Sequence, residues 1–331
     1  MRQSPPSDLA GLLAAVDLGY PFTIHAGVPD GPDWITLDRL ATDPALLDAW
    51  LSDLLAGEAR GQLPVAAVSL AAYVASAVAD PLTVALATLG RAWPVTPTGT
   101  AVHRHPDGWC DGVAIAHPQR PPADDPLHPA APDPAADPFR TAAHDPADEA
   151  YRTAARDVVA ALGPVFEAIR ARTRIGRPAM WGGLGDMIAA AAVDQARYRG
   201  TDPGVAWHGA QRLVDAIAEH APQVRARRSL VVIAHPGPAG FVARGTCCLD
   251  YRVGGDYCTR CPLRTPEDRL ARWTTELAAE RGDPESWTPG AAVATPGVHD
   301  SGSPPTHPDR CAESPGSRAC LWAETPDCPA A

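Results

Sequence analysis

Neither lysine nor asparagine occurs anywhere in this chain of 331 residues; every basic side chain is an arginine, while alanine and proline abound. That skew reads as a base-composition bias of the source genome, without functional weight. Clustered basic blocks are also missing, and the formal net charge is −11. Nucleic-acid binding is therefore not expected, because neutralising phosphates needs grouped cations. The N-terminus, Met1-Arg2-Gln3-Ser4-Pro5-Pro6, has no apolar segment after its charge, so no signal peptide is expected. The longest apolar run, Val65 to Ala79, is alanine-rich, carries Ser69, Tyr73 and Ser76, and falls short of a bilayer span. These absences predict a soluble, cytoplasmic protein with no membrane span, peripheral membrane contact being left open. No G-x-G-x-x-G run follows a strand-like segment, which argues against a nicotinamide or flavin site. Nor does any stretch repeat at a fixed period.

What is present is the raw material of a folded, largely helical protein. Hydrophobic residues make up 45% of the chain, a globular share. Ser7 precedes apolar Leu9, Leu12, Leu13 and Val16; Asp43-Pro44 is an N-cap followed by proline at the first helical position, and Gly57 supplies a stop. Gln62-Leu63-Pro64 opens an Ala-rich helix to about Ala79, and Asp80-Pro81 reads as the restart of another that ends at Gly90. Thr100–His105 and Gly112–His117 read as strands about the turn Pro106-Asp107-Gly108. Residues 118–145 are rich in Pro, Ala and Asp and read as a linker or loop insertion. Further helices are predicted from Pro146 to Leu162, with Gly163-Pro164 as a break, from Pro178 to about Tyr198, from Ala210 to His220 and from Pro266 to Arg281. Leu230 to Ile233 reads as a buried strand by its β-branched content. The fold class is α+β, predominantly helical: Ala-rich helices, a small antiparallel strand region and a cysteine loop towards the C-terminus. Its regions are 1–117, the linker 118–145, a helical part 146–264 ending in the cysteine loop, and 265–331, one helix followed by a Pro/Gly/Ser-rich tail read as disordered.

The most informative residues are Cys247, Cys248, Cys258 and Cys261: an adjacent pair and a C-x-x-C pair within one short segment. Soft thiolate ligands select iron–sulfur clusters, zinc or cuprous copper over hard cations, and in a reducing cytoplasm such thiols read as metal ligands rather than disulfides. Structural zinc sites usually present two C-x₂₋₄-C knuckles. Here one half is an adjacent pair, whose side chains would point apart in an extended segment. A two-iron cluster, with terminal positions on two irons, accommodates that spacing better than a single tetrahedral ion. Gly254-Gly255 offers the permissive backbone for the spacer. A [2Fe–2S] cluster is thus the expected cofactor, with zinc as the alternative. Arg252 and Arg260, inside the loop, would offset cluster charge, though Arg260 and Arg264 also suit a solvated face.

At these residues the sequence resembles the FhuF-like ferric-siderophore reductases. That family carries a Cys-Cys-x10-Cys-x2-Cys motif ligating a [2Fe–2S] cluster, in a Cys-Cys-Leu-x-Tyr-Arg-x-x-Gly-Gly context. This chain reads Cys247-Cys248-Leu249-Asp250-Tyr251-Arg252-Val253-Gly254-Gly255, and Met180-Trp181-Gly182-Gly183 is similar to the family's Leu-Trp-Gly-Asn helix opening. The spacer holds nine residues instead of ten, and the chain runs another 70 residues past Cys261, the last cysteine of the motif. The resemblance implies one-electron reduction of a ferric siderophore in the cytoplasm by an iron–sulfur oxidoreductase. Cys247, Cys248, Cys258 and Cys261 would hold the cluster, and an external donor (a ferredoxin or flavin reductase) would supply electrons. No general acid, base or nucleophile is implied beyond the cluster. Trp181, Tyr251, Arg252 and Arg260 are candidates for the surroundings of the cluster or a substrate wall, with a core role weighed for Trp181. The alternative reading is a zinc- or cluster-stapled protein that binds a siderophore or assists its biosynthesis without reducing it. Among other residues, His103 and His105 read as exposed strand histidines, Trp207-His208 as a helix start, and Cys110 as a buried thiol. Cys311, Cys320 and Cys328 fit no common metal spacing.

Overall fold

In a computed structural model the described residues are 9–116, 146–234 and 238–280. The predicted linker, the Pro/Gly/Ser-rich tail and Cys311, Cys320 and Cys328 lie outside them. Among the described residues the chain forms α1 (Leu9–Ala14), β1 (Thr23–Ala26), β2 (Trp34–Thr36), α2 (Leu37–Thr42), α3 (Pro44–Ala56), α4 (Leu63–Leu89), β3 (Thr100–Arg104) and β4 (Cys110–Ile115). The second part forms α5 (Pro146–Thr173), α6 (Arg177–Arg199), α7 (Pro203–Ala218), β5 (Ser229–Ala234), β6 (Pro238–Ala243) and α8 (Pro266–Glu280). The predominantly helical α+β class holds.

Helix boundaries follow local chemistry. Asp43 accepts a hydrogen bond from the Leu46 amide at 3.1 Å with Pro44 in the first turn, so α3 begins where the Asp-Pro pair indicates. Asp202 caps α7 in the same way through the Gly204 amide, 2.7 Å, and this moves the helix start back to Pro203. Trp207 and His208 therefore lie inside α7 and do not open it. Gly90 and Gly200, both at φ 64°, close α4 and α6 in the left-handed conformation.

Two predicted breaks are absent. α4 runs straight through Asp80-Pro81, and α5 through Gly163-Pro164. A mid-helix proline removes a hydrogen bond and crowds the preceding turn, a cost of about 3 kcal/mol. Burial along α4, including Leu70, Val74, Val78, Leu82 and Pro81 itself, offsets that cost. Asp80 does not cap a new helix. Its Oδ2 accepts hydrogen bonds from Ser76 Oγ at 2.6 Å and Tyr20 OH at 3.3 Å. The uninterrupted α4 is long and apolar enough to cross a membrane, and it is mostly buried between α3, α5 and α6. That length corrects the expectation drawn from the shorter Val65–Ala79 run.

The four-stranded sheet has the order β1-β4-β3-β2 and is mixed: β1 runs parallel to β4, and the other pairings are antiparallel. The predicted pair β3–β4 is its centre; β1 and β2 had no sequence signal strong enough to be read. Ile35, Val102, Val113 and Ile115 pack into the helical core. β5 and β6 form a separate antiparallel ribbon. The Leu230–Ile233 strand exists but is not buried, with Val232 half exposed. It pairs on one side only, and the burial falls to β6, where Phe241 stacks on Trp273 of α8 at 5.1 Å. β6 leads directly into the cysteine loop.

Candidate metal centre

The loop between β6 and α8 gathers all four predicted cysteines. Cys248 lies beside Cys247 and Cys258, and Cys261 lies within electrostatic reach of Cys247 and Cys258. The adjacent pair is therefore not splayed as an extended segment would leave it. Leu249 turns the chain with φ 67°, a conformation uncommon for a leucine. That turn lets the Leu249 amide donate to Cys247 Sγ at 3.4 Å. A 3-10 turn over Asp250–Val253 follows, and Gly254 leaves it at φ 87°, where an L side chain would be strained. The second pair forms a tight turn closed by the Cys261 amide on the Cys258 carbonyl, 3.0 Å. Cys261 is buried; the other three are half-buried. Among the described residues no group of three or more His, Cys, Asp or Glu side chains stands in an arrangement that could hold a metal ion.

The electrostatics favour negative charge on one sulfur, that of Cys248. Hydrogen bonds from the Cys247 thiol, then from that of Cys258, hold Cys248 far below the ordinary thiol range, with the Asp250 amide and Arg244 adding to the effect. Sharing that charge pushes Cys247 and Cys258 up, burial adding to it. Asp250 is raised to about 7, first by burial and then by the neighbouring Cys248.

Asp186 on α6 is the anchor of this loop. It is 1% exposed, and its carboxylate accepts hydrogen bonds from the Gly245 amide (2.9 Å), the Thr246 amide (2.8 Å), Thr246 Oγ1 (2.5 Å) and Arg228 Nε (3.1 Å). Gly182 lets α6 and the loop meet: a Cβ there would sit 2.5 Å from Thr246 Cγ2. Sequence reasoning passed over Asp186. Its signal was a lone acid in the small, apolar run Trp181-Gly182-Gly183-Leu184-Gly185, where a buried charge demands partners.

The predicted neighbours divide. Arg260 is not solvated; it forms a two-pronged ion pair with Asp194 of α6, both contacts 2.8 Å. Arg264 is also buried, donating to the Cys258 carbonyl at 2.9 Å and pairing with Asp256 and Asp268. Arg252 reaches outward over the Tyr251 ring, whose own neighbour is Tyr257 at 5.2 Å. Trp181 turns into the helical core, edge-on to Phe166 at 5.0 Å, and so is a core residue and not an open wall. His103 pairs with Asp111 and His105 packs on Trp109, both away from the cysteines in sequence and on the sheet. Cys110 is buried, which pushes its thiol up.

Fold and site together define a helical α+β protein carrying a tetrathiol loop seated on a buried aspartate. Residues 70–198 match the family described as ferric iron reductase FhuF-like transporter, so that stretch is similar to the family. The match runs from within α4 through β3, β4 and α5 nearly to the end of α6; it includes Asp186 and Asp194 and stops before the cysteines. No curated protein matches the chain. Ferric iron reduction is the activity attached to the family.

Proposed function

We propose that this protein reduces cytoplasmic ferric siderophores by one electron and so releases ferrous iron. The observation that carries the reading is the seat of the cysteines: Asp186 and Asp194, inside the FhuF-like stretch, hold the backbone at Gly245–Thr246 and the side chain of Arg260 in the cysteine loop outside it. Cys247, Cys248, Cys258 and Cys261 would hold a [2Fe–2S] cluster, whose chemistry is the supply of single electrons. What supports the reading is the chemistry of the donors: four soft thiols in one loop, amides directed at Cys247 and Cys248, and Arg244 favouring thiolate at Cys248.

The chain's own task is placement. Cys261 roots the loop in the interior, while the half-buried Cys247, Cys248 and Cys258 leave one side open to a donor and to the chelate. Hard oxygen ligands grip Fe(III) much more tightly than Fe(II), so one added electron loosens the chelate without proton transfer by the protein. The electron comes from an external donor of the ferredoxin or flavin-reductase kind.

Freshly purified protein should be reddish-brown, contain about two irons per chain and bleach with dithionite. Ferric hydroxamate should then reoxidise it. A colourless protein with one zinc would overturn the proposal in favour of a stapled binding protein. Cys258→Ser should lose the iron and the colour.

A further inference from the structure

Beneath the loop two arginines, Arg228 and Arg244, share one aspartate, Asp186. Asp186 is neutralised by Arg228, whose side chain is 3% exposed, and its oxygens are occupied by the two loop amides and Thr246. Asp194 is likewise engaged by Arg260. Arg244, the residue between β6 and Gly245, is a second arginine on Asp186 at 3.8 Å, too long for a hydrogen bond, and its buried Nε has no partner. Burial is the largest influence and works against that charge; Asp186, Cys248 and Cys258 together outweigh it. Its backbone is tied into the same turn, the Arg244 amide donating to the Arg260 carbonyl at 3.0 Å.

A largely desolvated guanidinium that shares its nearest carboxylate with a second arginine is costly unless further anions face it, and here those are Cys248, Cys258 and Asp250. We propose that Arg244 is the internal counter-cation of the thiolate site, a positioning residue that balances the anionic centre and holds up its reduction potential. Arg228 serves the fold, by joining Asp186 to the Val224 carbonyl; Arg244 serves the sulfurs. The role of Arg244 in setting a potential rests on the cluster reading above. Its role as counter-cation to the thiolates does not.

Two measurements separate these. First, Zn(II) affinity is read by chelator competition on metal-free protein. Arg244→Gln should bind Zn(II) at least tenfold more weakly than the parent, and Arg244→Lys, which keeps the charge, within about threefold. Second, on iron-loaded protein equilibrated with a redox dye, Arg244→Gln should raise the oxidised-to-reduced ratio about tenfold, a fall of 59 mV for one electron. Equal Zn(II) affinity in parent and Arg244→Gln overturns the counter-cation, and so does a folded Arg244→Lys variant as weak as Arg244→Gln. Should Arg244→Gln misfold, Arg244→Met reads the same quantities with the aliphatic stem retained. A parent that binds zinc but never iron, with the tenfold zinc loss intact, removes the reductase reading and leaves the counter-cation standing. An unchanged potential in iron-loaded Arg244→Gln overturns the redox role of Arg244.

Discussion

Around α4, side chains such as Leu70, Val74 and Leu82 are wholly buried and few polar groups intrude; around Cys247–Cys261 the apolar side chains Tyr257 and Leu263 are exposed, and arginine–aspartate contacts hold the chain in place. The body is therefore stabilised by area removed from water, a non-directional force that tolerates imprecise placement. The loop depends on a few directed, charge-assisted hydrogen bonds, which fix position but fail singly. A redox or metal site gains from that division, because ligand geometry is set by the partners of Asp186 and Asp194 independently of how the core repacks.

The comparison breaks hardest at Asp186. Asp186→Ala removes four hydrogen bonds and leaves Arg228 buried without its partner, a loss of roughly 3–5 kcal/mol. Metal content should fall with it in elemental analysis. Phe166→Ala, in the body, should cost a similar or slightly smaller amount, about 3–4 kcal/mol, through the cavity left under Trp181. Here chemical denaturation should show the loss while metal per folded chain stays at the parent level; a metal loss matching that of Asp186→Ala would erase the distinction between the two regions.

Asp80 provides an effect that carries a sign with pH. Burial raises its carboxyl to about 7 from 3.8, against hydrogen bonds from Ser76 and Tyr20 that pull it down. The fold thus holds the proton more tightly than the unfolded chain does, and stability declines as pH rises from about 4 through about 7. Asp80→Asn lacks that decline. Measured against its own value at pH 4, the variant should be ahead of the parent by on the order of 2 kcal/mol at pH 8, and denaturation midpoints at the two pH values would show it. A difference that does not change with pH would mean that Asp80 is ionised throughout. Least affected should be Arg60→Gln: it removes one exposed hydrogen bond to the Val253 carbonyl, 2.8 Å, for about 1 kcal/mol or less in the same assay.

Legibility in the sequence followed the range of the interaction. The Asp43-Pro44 cap, the glycine stops and the C-x-x-C turn are written in adjacent residues, and each stands where the sequence places it. Asp80-Pro81 and Gly163-Pro164 carry equally clear local signals and mislead, because burial over whole helices outweighs one lost hydrogen bond. The strand at Leu230–Ile233 misleads differently: β-branched content specifies an extended backbone and says nothing of which strand of a ribbon faces the core.

By itself the sequence determined the fold class, the four thiols and the backbone freedom at Gly254, since each depends on composition or on neighbours along the chain. Only the tertiary structure decided that Asp186 grips the loop from 60 positions before Thr246, that Arg260 pairs with Asp194, and that Arg244 shares Asp186 with Arg228. Charge balance is a property of what meets in space, and no spacing along the chain records it.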